Sequence, residues 1–260
     1  MPLLFDERRL RQAARMSMRR RSAPGADGMT WAAYRRGMAT HVRKLSVALR
    51  EGSWRPGPLR TVRLTAYTGK EFAVVVPTVE DRIVHRAMRA VVEPILERRA
   101  FPDWVAGYRP GRNRLSAIRL AMRHLDRGLT AVADLDVAAV SAGASAEAVT
   151  DWLAEHVQDG TFLSRFRMVL AALPEPLAPG SGLAPLLINL RLSRVDAHLH
   201  DLAVVRFADN YCAFTATATD ARLAFTRIAE ALHAEGLRPQ PRKSQVRLQA
   251  NAEDLFLIAG

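Results

Sequence analysis

Apolar positions change period several times along the chain, and those changes divide it into elements. Residues 6–21 set Leu10, Ala13, Ala14, Met16 and Met18 among arginines, which predicts a basic helix. Ser22-Ala23-Pro24-Gly25-Ala26-Asp27-Gly28 is a turn-rich break. Thr30 then caps a helix from Trp31 to Leu49, with Tyr34, Met38, Val42, Leu45 and Leu49 at helical spacing. After a second break over Gly52–Pro58, Leu59–Leu64 and Phe72–Val76 read as a hairpin around Thr68-Gly69, stopped by Pro77. Thr78 or Asp81 opens a long helix to Arg98, whose buried face is Ile83, Val84, Ala87, Val91, Ile95 and Leu96.

The second half mixes short strands with helices. A loop over Gly107–Gly111 precedes a helix at Arg114–Arg127 and a buried strand at Thr130–Asp136. Residues 145–173 predict two helices parted near Asp159-Gly160. The Pro/Gly-rich loop Pro174–Gly182 leads into a helix at Leu183–Leu202. Val204-Val205 and Tyr211-Cys212-Ala213-Phe214 flank the turn Phe207-Ala208-Asp209-Asn210, predicting a hairpin with Asp209 at its tip. A helix at Asp220–Gly236 and strands near Val246–Leu248 and Leu255–Ile258 complete the order. The class is α+β.

Composition adds one large asymmetry. The 260 residues carry a net charge of +12. Residues 1–112 hold 23 Lys and Arg against 10 Asp and Glu, whereas residues 113–260 hold 15 against 16. A basic segment joined to a near-neutral one points to contact with a polyanion, most simply nucleic acid. Arginine-rich solvated helix faces would account for the arginines but not for the one-sided balance. No apolar run is long enough to span a bilayer, and the first residues lack the basic-then-apolar pattern of a secretory signal. The single cysteine, Cys212, excludes an internal disulfide framework and a cysteine-rich zinc site. Cytoplasm is the expected compartment, with no membrane partner.

Candidate chemistry centres on two aspartates. Asp136 ends one apolar run and Asp209 tips the hairpin; carboxylates delivered by separate strand ends suit the divalent ions of phosphoryl transfer. Aspartates at strand ends also serve simply as caps or turn residues, and both readings stand at this level.

Seven segments, taken in order, extend the picture. Ala23-Pro24-Gly25-Ala26-Asp27-Gly28-Met29-Thr30-Trp31 comes first, then Pro77-Thr78-Val79-Glu80-Asp81-Arg82-Ile83-Val84 with Glu93-Pro94-Ile95-Leu96-Glu97. Gly107-Tyr108-Arg109-Pro110-Gly111-Arg112, the strand ending at Asp136, and Gly180 with Ala184-Pro185-Leu186-Leu187-Ile188-Asn189-Leu190 follow. Phe207-Ala208-Asp209-Asn210 and then Gly236-Leu237-Arg238 with Arg242-Lys243-Ser244 close the series. In this order and spacing the chain resembles a reverse transcriptase, an RNA-directed DNA polymerase, of the bacterial group II intron type.

The resemblance implies a right-hand polymerase of fingers and palm, with an antiparallel palm sheet, packed helices and no thumb. Fingers would span residues 1–128 with the basic N-terminal segment, and palm residues 129–260. Asp136 and Asp209 would hold Mg2+ or Mn2+, Lys243 would give a proton to pyrophosphate or touch phosphate, and Asn210 would occupy the place of a further carboxylate. Val140 or Ser141 would lie beneath the incoming sugar, beside Gly180, with Lys70 or Arg63 on the triphosphate. Arg19, Arg20, Arg21, Arg109 and Arg112 are the candidate nucleic-acid contacts. The implied partners are an RNA template or RNA–DNA hybrid, deoxynucleoside triphosphates, and a partner chain supplying a thumb.

Several residues depart from the family pattern around one pocket. The Tyr-Ala-Asp-Asp motif reads Phe207-Ala208-Asp209-Asn210, the first catalytic block continues Val137-Ala138-Ala139-Val140-Ser141-Ala142, and the fingers hairpin reads Leu64-Thr65-Ala66 and Phe72-Ala73-Val74. Pro179 stands where glutamine precedes the family's glycine. Three functions are compatible with this mixture: a weakly active polymerase, a catalytically degenerate binder of RNA or RNA–DNA hybrid, and a structural partner domain in a larger assembly. Restoring Asn210→Asp is the substitution that this reading singles out as a test of the pocket.

Overall fold

Asp6 ends one short helix and begins the next. The chain opens with α1 (Pro2–Phe5) and α2 (Glu7–Met18), where the Asp6 carboxylate accepts from the Arg9 amide at 2.8 Å. The computed structural model describes residues 2–19, 22–65, 69 and 71–256. Among these are eleven α-helices and two antiparallel sheets, a mixed α+β architecture. None of the described helices is long and apolar enough to cross a membrane.

The packing falls into two units that interleave along the sequence. One takes the chain up to Arg99 together with Ser141–Leu187; the other takes Ala100–Val140 and the chain from Ile188 onward. These packing units cut the chain differently from the single boundary at 128/129 read from the sequence.

In the first unit the predicted helix over Trp31–Leu49 is two helices, α3 (Trp31–Arg36) and α4 (Met38–Glu51). The break is Gly37, whose missing side chain leaves room for the ring of His41; a Cβ there would lie 2.8 Å from it. That ring stacks on Tyr34 with centroids 4.7 Å apart. Helical spacing of the apolar residues continues across the break, so the pattern does not reveal it. The hairpin pairs β1 (Arg60–Thr65) with β2 (Glu71–Val76) in the register Arg60↔Val76 to Thr65↔Glu71. In α5 (Val79–Arg99), Thr78 and Asp81 cap reciprocally, each backbone amide donating to the other's side chain at 3.2–3.3 Å. Two further helices then lie where the sequence places them, parted at Asp159, whose carboxylate caps the second by accepting from Phe162.

The second unit is built on a four-stranded sheet. Its strands are β3 (Ala131–Asp136), β4 (Val204–Phe207), β5 (Asn210–Thr215) and β6 (Gln245–Arg247), in the order β4-β5-β3-β6. Strand alternation sorts the side chains. Ala133, Leu135, Tyr211 and Ala213 share a core with Leu192 and Val195 of the helix Ala184–Asp196 and with Ala224, Ile228 and Leu232 of the helix Ala218–Ala234. Val132, Cys212 and Phe214 pack with Ala117, Ile118 and Ala121 of the helix Arg114–Leu125. Leu255, where the sequence predicts a strand over Leu255–Ile258, instead lies in a helical turn, Ala252–Phe256, packed in that same core; the rest of that strand lies outside the described residues. The helix predicted over Leu183–Leu202 ends at Asp196, which turns out to be the anchor of the candidate site.

Candidate active site

The turn carrying Asp209 is held from beneath by a buried arginine. Phe207↔Asn210 is the last pair of the β4–β5 ladder, which leaves Ala208 and Asp209 as a two-residue turn. Ala208 has φ +55, the left-handed value that tight hairpins demand and that a non-glycine residue adopts only under constraint. Arg206 supplies that constraint. Its guanidinium, fully buried, donates to the Ala208 carbonyl and to Asn189 Oδ1, each at 2.9 Å. Two further bonds go to the Asp196 carboxylate at 3.0 and 2.6 Å, and the Tyr211 hydroxyl donates to the same carboxylate at 2.8 Å. Burial works against the Arg206 charge, but the Asp196 charge and its hydrogen bonds outweigh it and hold the guanidinium cationic.

Gly107 completes this support. A Cβ on it would lie 2.0 Å from the Ala208 nitrogen, so only glycine lets the loop press against the turn. Its carbonyl accepts from Asn189 Nδ2 at 2.9 Å. Residues of three separate sequence segments thus interlock around one turn.

Asp136 reaches the same place from β3. Its cross-strand partner is Asn210, and the Val137 amide donates to the Asp209 carbonyl at 3.0 Å. The segment after Gly236 wraps the end of β3: the Gln240 amide donates to the Asp136 carbonyl, the Asp136 amide to Ser244 Oγ, and Lys243 Nζ lies 3.3 Å from Asp136 Oδ2. Lys243 is mostly exposed, so this ion pair adds little stability and leaves the ammonium mobile.

The Asp209 carboxyl is pushed above the usual carboxylate range, first by burial and then by the charge of Asp136; Lys243 and Arg206 oppose the shift. Tyr108, itself at φ +61, is raised by burial and then by Asp209. Two carboxylates and an ammonium therefore share one electrostatic site with a phenol beside it. The part of the Asp209 shift due to Asp136 is one that a cation between the two carboxylates would offset. Hard oxygen donors in a pair fit Mg2+, which commonly takes one or two carboxylates and fills its remaining positions with water and substrate phosphate. Among the described residues no group of three or more His, Cys, Asp or Glu is placed to hold a metal.

Asn210 is turned away from this pair. It is buried, its Nδ2 donates to Asp134 Oδ1 at 3.1 Å, and Cys212 Sγ lies 3.4 Å from its Oδ1. Asp134, itself buried, also accepts from Arg247 Nε at 2.7 Å and from Cys212 Sγ at 3.7 Å. The amide therefore acts as a donor in a closed network. Putting a carboxylate at 210 would set two anions face to face in a buried position. Asn210→Asp is expected to destabilise the fold by about 1–3 kcal/mol at neutral pH. Because one carboxyl of the new pair would retain its proton to higher pH in the folded chain, stability should fall as pH rises from about 4 towards 8. Urea denaturation at several pH values checks this; an Asn210→Asp variant as stable as the parent at neutral pH would contradict it.

The remaining predicted residues fall in different places. Val140 is buried in the sheet's core, its carbonyl accepting from Arg191; Ser141, the next residue, is half-buried. Gly180 has φ +98 and packs against β2, where a Cβ would lie 2.1 Å from the Val75 carbonyl, which accounts for the glycine without a ligand. Arg63 is exposed on β1, and Arg19 is exposed at the end of α2. Arg109 is buried and donates to the Pro102 and Val105 carbonyls. Arg112 is tied to the Asp103 carbonyl and carboxylate and to the Val105 carbonyl. Arg20, Arg21 and Lys70 lie outside the described residues.

Sequence reasoning missed Arg206, Asp196, Asn189, Asp134 and Tyr108 as parts of the site. One signal was present: a lone arginine inside the apolar strand Val204-Val205-Arg206-Phe207 requires a buried partner.

No family model matches the chain. It is similar to Protein YkfC of Escherichia coli (strain K12), 28% identical over 208 residues that take in 74% of this chain and 54% of that protein. The chain thus spans about half the length of the curated relative that it matches.

Proposed function

We propose that the chain is a reverse-transcriptase-like domain, laid out as fingers and palm, that performs RNA-directed DNA synthesis with low efficiency. The observation that carries this reading is the convergence of Asp136, Asp209 and Lys243 at one end of the β3–β5 ladder, on the residues that the family resemblance singles out. Mg2+ or Mn2+ held by Asp136 and Asp209 would lower the pKa of a primer 3′-hydroxyl and neutralise charge developing on the pyrophosphate. Lys243 Nζ lies 3.3 Å from Asp136 Oδ2, in a position to meet a phosphate oxygen. Arg206, Asn189 and Gly107 fix the angle at which Asp209 is offered.

The test is primer extension on an RNA template with Mg2+ or Mn2+ and deoxynucleoside triphosphates. Extension is expected to be slow and to fall about 10²–10³-fold in Asp209→Ala. Asn210 favours a second reading, because its side chain is committed to Asp134 and unavailable to a metal. In that reading the chain binds RNA or an RNA–DNA hybrid without transferring nucleotides. Absence of extension under either metal, with RNA affinity that falls steeply with salt, selects the second reading. Failure of both overturns the assignment.

A further inference from the structure

Tyr108 is an exposed aromatic residue set between two buried neighbours. Gly107 and Arg109 are buried, whereas Tyr108 is 43% exposed. Its place in the second unit follows from Gly107, where a Cβ would lie 2.0 Å from the Ala208 nitrogen and 3.0 Å from the Phe207 carbonyl carbon. The tyrosine that comes next therefore stands beside the turn that carries Asp209, with its ring open to solvent.

The backbone at Tyr108 has φ +61, a value that glycine adopts freely and a bulky residue only under constraint. That constraint comes from both sides. The Gly107 carbonyl accepts from Asn189 Nδ2 at 2.9 Å. The Arg109 guanidinium donates to the Pro102 and Val105 carbonyls and packs 5.7 Å from the centre of the Phe101 ring, and the Arg112 amide donates to the Arg109 carbonyl at 3.3 Å. A loop that had only to turn would place glycine at such a φ, as this loop does at Gly111 with φ +70. An aromatic side chain kept in a left-handed conformation beside two carboxylates points to a use for the ring itself. Burial, and then the Asp209 charge, raise the phenol above its ordinary range, so the ring stays neutral beside an anionic ligand.

We propose that Tyr108 is a stacking platform for a nucleobase of the template–primer held at the Asp136–Asp209 pair, an inference that rests on the function proposed above. Every base presents a flat π-face, so an aromatic ring beside the site takes up a strand without reading its sequence. The loop, rather than the ligand, fixes the backbone that carries the ring, which keeps the ordering cost of binding small.

The test uses the full chain and an RNA template annealed to a DNA primer, without added nucleotide. A 2-aminopurine is placed in turn at the primer 3′ end and at the first unpaired template base. Binding to the parent is expected to quench its fluorescence at one of these positions. Tyr108→Phe should keep the quenching and bind within about twofold of the parent, whereas Tyr108→Leu should lose the quenching and bind about tenfold more weakly. Leucine keeps the bulk and the constrained backbone but not the flat face. Tyr108→Gly separates contact from conformation. Glycine relieves the constraint at φ +61, so a role in shaping the loop predicts parent-like affinity, while stacking predicts the loss seen with leucine. Parent-like affinity in either the leucine or the glycine variant, or no quenching at both positions, overturns the inference. The proposed function then still stands if the parent binds the hybrid and extends the primer. A parent that does not bind the hybrid overturns both.

Discussion

Asp196→Ala is expected to cost about 3–5 kcal/mol of stability, because it leaves the Arg206 guanidinium fully buried and facing a void. The loss comes less from the missing attraction than from the charge left behind. Arginine stays protonated at any accessible pH, so titration offers it no escape. Two hydrogen bonds to Arg206 and one from Tyr211 disappear together, and the Tyr211 hydroxyl keeps only a 3.4 Å contact with the Leu192 carbonyl. Chemical denaturation of the single variant measures the cost. The double variant Asp196→Leu with Arg206→Met should recover most of it, since an apolar pair of similar volume removes both buried charges. That recovery should not extend to activity, because the Ala208 carbonyl and Asn189 would still lack the guanidinium that fixes the Asp209 turn. A single variant as stable as the parent would show that the pair does not hold the sheet to its helix.

Gly107→Ala is the second large effect. A Cβ 2.0 Å from the Ala208 nitrogen cannot be absorbed by a rotamer change, because the atom that it meets is backbone. Either the Gly107 loop or the Asp209 turn must move, and the Asn189 bond to the Gly107 carbonyl holds the loop where it is. The expected cost is about 3 kcal/mol, at the upper end for overpacking, with faster amide hydrogen exchange at Ala208 and Asp209. Whatever reaction the site performs should fall further than stability does, since a displacement of about 1 Å is enough to misplace a reacting group. Unaltered exchange at the turn would mean that the loop yields instead.

These two substitutions concern residues that are far apart in sequence and chemically unlike the candidate ligands. Their shared effect explains why the recognisable segments occur together. Gly107 is required by close approach, Asn189 by a carbonyl and a guanidinium, and Arg206 by a strained turn. Only Asp136, Asp209 and Lys243 remain once the scaffold roles are taken away. The candidate ligands are therefore fewer than the residues that hold them in place.

Asn210 illustrates the limit of reading a motif by substitution. Against a Tyr-Ala-Asp-Asp pattern, the asparagine counts as a lost charge. In the fold it donates to Asp134, and a carboxylate there would be repelled. The amide is matched to its surroundings, so restoring the pattern at that one position would break a network of Asp134, Cys212 and Arg247. Arg109 and Arg112 make the complementary point about charge. Both look like solvated loop arginines, yet both tie down backbone carbonyls at Pro102–Val105.

Local pattern sufficed wherever the deciding interactions are local. The strand ending at Asp136, the hairpin tip at Asp209, the helix cap at Thr30, the break at Asp159-Gly160 and the basic bias of the first 112 residues are all set within a few positions along the chain. Periodicity of two or of 3.6 residues reports which face is buried, and capping residues report where helices begin. Tertiary structure alone decided the interior partners: Arg206 with Asp196, Asn210 with Asp134, Gly107 against Ala208, and Tyr34 with none. A buried polar group is satisfied by whatever the fold brings within about 3 Å, and that distance has no counterpart in sequence separation.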